Sequence, residues 1–593
     1  MTNSAETWLN SFSARLAAGD AGGALDLFTD DCYWRDLLSF TWNIKTMEGR
    51  PAIAAMLAET LGRTAPGGWA IEGTPETNGN ITEAWLRFET ASAWGTGRLR
   101  LRDGRCHTLL TAMRDLKGHE VPQGPSRPKG IEHKADRNRE TWSEARARER
   151  AGLGQTEQPY CLIIGGGQGG LALGARLKQL GVPTLIVEKN ARAGDSWRNR
   201  YRSLVLHDPV WYDHMPLLPF PDTWPVFTPK DKMGDWLEAY ASLFELDLWT
   251  STTCDSASYD TERGLWDVKV NRDGRQTALT PRHLVFCTGG YGPPRHIYWP
   301  GAAAFSGIRM HSSAYKDGRA YAGKRCVVIG AASSAHDVAV DLWEAGAEVT
   351  MIQRTPTVVV RSETLMELGF DIYSEAALAR GLTTEKADLI AAATPFALFT
   401  EAQINLYREI RARDAAFYER LAASGFAFDF GEDDSGLVVK ALRTASGYYI
   451  DVGASELIMR GDITVISGDP VARLTRTGIG LESGRELDAD VIIECTGYHT
   501  MQQAVAGIVS REVADAIGPC WGVGSGVRGD PGPWLGEIRN MWKPTAQDAL
   551  WFHGGNLALS RFYSSFVAWQ IKARMEGIGT EVYQRTAPLA SNA

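Results

Sequence analysis

The 593-residue chain has no Cys-x-x-Cys pair and no apolar run longer than a strand requires. Its eight cysteines are scattered at 32, 106, 161, 254, 287, 326, 495 and 520. That scatter argues against a disulfide framework, a thiolate metal cage and dithiol redox chemistry. Cys161, Cys287, Cys326 and Cys495 read instead as small buried strand residues. A membrane-spanning helix needs about 20 consecutive apolar residues, and none is present. The opening "MTNSAETWLNSFSARLAAGD" lacks a basic stretch followed by an apolar one, so no secretion signal is expected and a reducing cytoplasm is the expected address. Basic excess is also missing: 62 Lys and Arg stand against 71 Asp and Glu, for a net charge of −9. A nucleic-acid partner is therefore not expected, nor a membrane partner. No Ser-His-Asp set, carboxylate pair or metal-ligand cluster is evident, so metal ligands are expected to be none.

What is present is the composition of an ordinary globular protein, 44% hydrophobic and 22% charged, with 20 tryptophans. The length exceeds one hydrophobic core and implies several domains. Residues 1–118 form the first. The pattern predicts helices at 4–17, 21–28 and within "EGRPAIAAMLAETL", then period-two stretches "ITEAWLRFET" and "GTGRLRLRDGRCHTLLTAMRDL" suited to a curved antiparallel sheet. Trp34, Asp36, Trp42 and His107 are candidates to line a pocket there, although core packing explains the aromatic residues equally well. Residues 119–158 are charged and rich in loop formers, a linker with a short helix expected at 139–151. From Tyr160 the texture becomes strand–helix–strand, and residues 324–354 repeat it, so two dinucleotide-type folds stand in series.

The first repeat contains "IIGGGQGG". Gly165 permits the tight turn, Gly167 the approach of a pyrophosphate, and Gly170 close packing of helix on strand. Glu188, at the end of the next strand, can accept from ribose hydroxyls. The second repeat, "IGAASSAH", keeps Gly330 but has Ala332 and Ala335 at the later positions. Ala332 puts a methyl where backbone would meet phosphate, and Ser333 and Ser334 are expected to supply donors instead. Arg354, where an NAD site prefers an acid, suits a 2′-phosphate. A tightly held dinucleotide in the first turn and an exchanging one in the second follow from this difference.

Three further stretches carry a resemblance. "AGDSWRNRY" (193–201) and "CTGGYGPP" (287–294) follow the first turn. "FSGIRMHSSAYK" matches the F-x-G-x-x-x-H-x-x-x-[FY]-K pattern at Phe305, Gly307, His311, Tyr315 and Lys316. Together with "ECTGYHT" (494–500) and "FHGGNLALSRFYSSFVAWQIKA" (552–573), they make residues 159–575 similar to the flavin-containing monooxygenases, while residues 1–118 resemble the NTF2-like (SnoaL-like) cone family. The resemblance implies an α/β fold class: two Rossmann-like domains, for FAD and NADPH, behind an α+β cone. FAD-domain segments are expected at 159–320 and 491–593, with an NADPH domain and helical insertion at 321–490.

It further implies an FAD-dependent NADPH:O2 monooxygenase that transfers one oxygen atom to a small organic substrate through a C4a-(hydro)peroxyflavin. Expected flavin-side contacts are Gly165, Gly167, Gln168, Gly170, Glu188, Lys189, Trp197, Arg198, His207, Thr288, Gly289, Thr496, Gly497, Tyr498 and Asn556. Gly330, Ser333, Ser334, Arg354 and Thr355 are the expected NADPH contacts. His207 and His311 are the catalytic candidates: His311 as a residue positioning nicotinamide against flavin, His207 at the family's usual asparagine position. "L-x-L-H-x-P" around His207 looks like the plant YUCCA-type enzymes, which decarboxylate an arylpyruvate. Baeyer–Villiger chemistry, YUCCA-type decarboxylation and a non-oxygenating NADPH oxidase or reductase stay open as alternatives, and a homo-oligomer stays open as an assembly.

Overall fold

The computed structural model describes residues 4–130, 133, 135–289 and 292–585. Its centre is two parallel sheets of identical plan. In the first, the central strand Cys161–Ile164 has His283–Phe286 and Leu550–Phe552 on one side, and Thr184–Val187 and Leu248–Trp249 on the other. In the second, Arg325–Ile329 is flanked by Val491–Glu494 and Ile308–His311, and by Glu348–Gln353 and Ile463–Ser467. Every pairing in both sheets is parallel. The inner strands are short and largely apolar, as burial on both faces demands, whereas the edge strand Ile308–His311 is mostly exposed. Each sheet receives a three-stranded antiparallel meander just before the strand beside its centre, at 252–279 and 471–488.

In each sheet the chain leaves the central strand to one side and later returns on the other. A crevice therefore opens at the carboxyl ends of the strands, where ligands bind in such folds. The helix Gln168–Gln179 starts at the first crevice and Ser333–Glu344 at the second. Between the strands Thr357–Arg361 and Tyr448–Asp451 lies the helical insertion, six helices from Ser362–Leu368 to Gly436–Thr444. It forms its own core around Tyr407, Tyr418 and Phe430.

The N-terminal unit has the helices Ser4–Ala17, Ala21–Leu25 and Gly49–Thr64 and a six-stranded sheet. The strand Gly67–Asn78 escaped the pattern because its outer edge position leaves it without alternating burial. The linker helix is Trp142–Gly152, starting three residues later than the charge pattern suggested, behind a Thr141–Glu144 capping box. Trp34 and Asp36 are wholly buried and Trp42 nearly so, which settles these residues as core. Asp36 accepts from the Phe40 and Thr41 amides and from the Thr41 and Thr111 hydroxyls at 2.6–3.0 Å. Burial still pushes its carboxyl up to about 6. Tyr583, from the far end of the chain, is also buried in this unit's core. Its amide donates to Thr41 O at 2.8 Å, and Asn43 Nδ2 donates to its carbonyl at 3.0 Å.

The N-terminal unit is joined to the rest through Arg35. Its guanidinium makes a two-pronged contact with Glu537 at 2.7 Å and donates to Ala392 O at 2.7 Å and Tyr563 Oη at 3.0 Å. Thr46 adds a 2.7 Å hydrogen bond to Glu537. Burial opposes ionisation of Glu537, but the Arg35 charge and its hydrogen bonds outweigh it and lower the Glu537 pKa. Removing one partner of such a pair costs about 3–5 kcal/mol, because the other charge stays buried. Arg35→Ala is expected to lower unfolding stability by about that amount, measured by denaturant titration at pH 7, and Arg35→Met with Glu537→Leu to recover most of it.

Candidate functional site

The two glycine turns are built alike. The Gly165 amide donates to Val187 O at 2.8 Å and the Gly330 amide to Ile352 O at 2.9 Å. Both residues have positive φ, +108° and +127°. A Cβ on Gly165 would lie 2.4 Å from Cys287 O, and one on Gly330 2.5 Å from Cys495 O. Cys287 and Cys495 stand one residue beyond their strands. Their carbonyls press on the turn, which is why only glycine fits there. All eight cysteines are free.

Beyond the first glycine the turns diverge. A Cβ on Gly170 would fall 1.9 Å from Gly165 O, whereas one on Gly167 would meet nothing nearer than Ser196 Oγ at 3.6 Å. Gly167 thus faces open space and Gly170 faces packed backbone. In the second turn Ala332 has an extended φ of −98° and Ala335 is buried. Both helices begin without a side-chain cap, at Gly167 and Ala332, as several others in the chain do, and a helix start of this kind can receive an anion. Thr288 Oγ1, just past Cys287, is buried without a hydrogen-bond partner. Open space at Gly167, uncapped amides and this orphaned hydroxyl fit a dinucleotide.

Glu188 is nearly buried and accepts from Gly166 N at 2.7 Å, Asn190 N at 2.8 Å and Asn190 Nδ2 at 2.7 Å. Lys189 beside it is exposed. Gln168 accepts from Trp197 Nε1 and donates to Gly555 O, both at 3.3 Å. Arg198 is committed to Asp195, Asp235, Glu238 and Ala193 O, so it braces the 193–198 loop against the helix Lys230–Leu243. Asn556 caps the C-terminal helix Leu557–Met575 and donates to Tyr212 Oη at 3.1 Å. Gly289, φ +100°, and Gly497, φ +85°, occupy matching places after the two return strands.

At the second turn Ser333 Oγ donates to Tyr448 O at 2.9 Å. Its hydroxyl thus ties the turn to the insertion's strand and is not a free donor. Ser334 is half-buried in the same first turn of helix. Arg354 and Thr355 are exposed just past the strand Glu348–Gln353, and the Arg354 guanidinium has no ion pair among the described residues.

His311 is buried. Its Nδ1 accepts from the Ser313 amide at 3.1 Å, which makes Nε2 the protonated nitrogen, donating to Gly497 O at 3.0 Å. Tyr498 packs edge-on against the His311 ring at 5.2 Å, and burial lowers the pKa of the His311 imidazole. Thr496 is tied to Arg295: its hydroxyl donates to Arg295 O at 2.7 Å, and its carbonyl accepts from the guanidinium. His311 is therefore a neutral cross-link between the strand Ile308–His311 and the second return strand's exit.

His207 lies at the seam of the two units, its side chain 37% exposed and Nε2 4.0 Å from Asp208 Oδ1. Two partners there were not read from the sequence. Tyr201 Oη donates to Asp337 in a short hydrogen bond, and Tyr315 Oη donates to Asp341 at 2.6 Å. Both acids lie on the helix Ser333–Glu344: Asp337 holds the first unit's loop through Tyr201, whereas Asp341 binds Tyr315 in the connection that follows the second sheet's own strand Ile308–His311. Their spacing of four, on one helix face, was the available signal. The loop is held from behind by Arg561, which bonds Asp388 at 2.7 and 2.8 Å and donates to the carbonyls of Tyr212 and His214 at 2.6 and 2.9 Å.

The different surroundings of two neighbouring glycines give a direct check. Gly170→Ala is expected to prevent formation of the first turn, seen as loss of folded yield and a lowered thermal midpoint. Gly167→Ala is expected to fold with the parent's midpoint.

Residues 162–427 match the family model described as pyridine nucleotide-disulphide oxidoreductase. Indole-3-pyruvate monooxygenase YUCCA1 of Oryza sativa subsp. japonica is 31% identical over 347 residues, covering 58% of this chain and 78% of the relative. A probable indole-3-pyruvate monooxygenase, YUCCA4 of Arabidopsis thaliana, is 30% identical over 57% of this chain and 75% of its own. Among solved structures, cyclohexanone monooxygenase bound to epsilon-caprolactone has a TM-score of 0.51 at 19% identity, over 71% of this chain and 88% of that one. OTEMO in complex with FAD and NADP has a TM-score of 0.50 at 18% identity, over 71% and 86%. The similarity to the YUCCA enzymes, over most of their length, shows that the chain belongs to the flavin-containing monooxygenase family.

Proposed function

We propose that the protein is an FAD- and NADPH-dependent monooxygenase that transfers one atom of O2 to a small organic substrate. The observation that carries this reading is the pair of equivalent crevices, each with a glycine turn opening a helix, joined by the Tyr201–Asp337 contact. FAD is assigned to the first turn, where Gly167 leaves room for a pyrophosphate, Glu188 is fixed beside the ribose position and Thr288 Oγ1 awaits an acceptor. NADPH is assigned to the second, with Arg354 as the phosphate-reading cation.

When bound, FAD supplies the hydride acceptance and oxygen activation that no side chain here provides. The protein's share is placement and shielding. Asp337 docks the first unit's loop on the second unit through Tyr201, at the seam where His207 lies. The neutral His311 fixes the path of the return strand there. His207, half-exposed, is placed to hydrogen-bond a reacting group. Residues 1–118 are read as an NTF2-like unit, and the insertion as the substrate-side wall, since Asp388 holds the His207 loop through Arg561.

The test measures NADPH oxidation, O2 uptake and peroxide release together, over a panel of amines, sulfides, ketones and aryl-2-oxo acids. Substrate-dependent O2 uptake without matching peroxide supports a monooxygenase, and peroxide equal to NADPH throughout overturns it. Losing a charge-assisted phosphate contact costs about 1.5–3 kcal/mol, roughly ten- to a hundredfold. Arg354→Ala is expected to raise the NADPH KM by that factor and leave the NADH KM unchanged, and equal effects on both would make the arginine structural.

A further inference from the structure

A cavity of about 410 Å³ lies between the N-terminal sheet and the helix Thr384–Ala392, with Glu76, Trp85 and Arg98 on one wall and Arg380, Lys386 and Ile390 on the other. Its volume is that of a small-molecule site, which spans roughly 300–1,000 Å³. None of its lining residues belongs to either glycine turn or to the His207 loop.

The sheet wall is a prepared surface. In the strand Ile81–Glu89 the even residues fill the core and the odd ones face outward. Trp85 is thus an aromatic ring on the polar side, among Glu83, Arg87 and Glu89, where the core has no use for it. It lies directly across the strands from Arg98, whose guanidinium sits 5.0 Å from the ring centroid. Glu83 fixes that guanidinium at 2.9 Å. A stacked cation on a ring offers a flat, electropositive face.

The opposite wall supplies charge. Arg380 and Lys386 have no side-chain acceptor among the described residues, and both are exposed toward the cleft's mouth. Glu76 stands alone against these two cations, and it is paired across the strands with Glu83, a like charge. Two unpaired cations against one unpaired acid favour an anion. We propose that this cleft binds a small planar aromatic carboxylate, with its ring on the Trp85–Arg98 face and its carboxylate between Arg380 and Lys386.

The site also adjoins the catalytic framework. Lys386 and Ile390, four apart, share the helix face toward the cavity, while Asp388 on the other side grips Arg561 behind the His207 loop. Thr384 Oγ1 donates to Trp211 O in that loop, and Ala392 O receives Arg35. An occupant therefore braces the helix on which the loop rests.

The test is calorimetric titration of the flavin-loaded, full-length protein with 2-naphthoate, and with 2-naphthamide as its uncharged counterpart. Naphthoate is expected to bind roughly tenfold or more tightly than naphthamide, the value of one charge-assisted contact. Arg380→Ala with Lys386→Ala is expected to remove that advantage and leave naphthamide unchanged, and Trp85→Ala to weaken both. Arg380 and Lys386 are exposed and Trp85 is half-buried on the sheet's outward face, and an unchanged thermal midpoint verifies folding of the variants. Absence of naphthoate binding to the parent, equal affinity for the two probes, or naphthoate affinity untouched in the double variant would overturn the proposal.

Discussion

A guanidinium in a nearly dry junction must satisfy its donors or leave. Arg35 satisfies them with a carboxylate, a main-chain carbonyl and a phenol drawn from three separate parts of the chain. Because Glu537, Ala392 and Tyr563 are fixed by this one side chain, the N-terminal unit, the insertion and the C-terminal helix share a reference point. Tyr563 in turn stacks on Trp542 at 3.9 Å. The same helix carries Arg561, which holds the His207 loop two residues away from Tyr563. The position of the seam thus depends on a contact made by a strand of the first unit, the part of the chain that the monooxygenase resemblance does not cover.

The two sheets show how one plan serves two grips. Cys287 and Cys495 press on Gly165 and Gly330 at almost the same distance, so the first position of the turn is dictated by the fold and not by the ligand. The ligand's demands appear at the next positions, where Gly167 leaves empty space and Ala332 fills it. Ser333, bonded to Tyr448 O, spends its hydroxyl on holding the insertion in place. The altered turn therefore also anchors the strand that closes the insertion.

Most of this architecture is legible in the sequence because it rests on local rules. Short apolar strands and a glycine turn mark both crevices, and an acid at the next strand's end marks the first. The N-terminal helices and the strands Ile81–Glu89, Ala93–Arg102 and Arg105–Leu116 follow from periodicity, whereas Phe28–Leu37 and Ile44–Glu48 do not show in it, and the second helix stops at Leu25 where the pattern runs on to 28. What escaped are features that depend on distance in space. The edge strand Gly67–Asn78 has too little burial to alternate. Asp337 looks like any polar residue on a helix until Tyr201 is seen against it. Arg198 has the right neighbours for a ligand contact, yet three carboxylates claim it. Asp36 and Trp34 suggest a pocket, but the hydroxyl of Thr111 joins them into a closed core.

Tyr583 has a consequence for how the chain is made. Its ring belongs to the core of the N-terminal unit, together with Trp8, Phe12 and Phe28. That unit leaves the ribosome hundreds of residues ahead of the tyrosine. During synthesis it carries an apolar slot and an unanswered Thr41 carbonyl until the segment around Tyr583 has followed. Assembly of an earlier part is thus completed by a much later one, and the tyrosine acts as a latch between them.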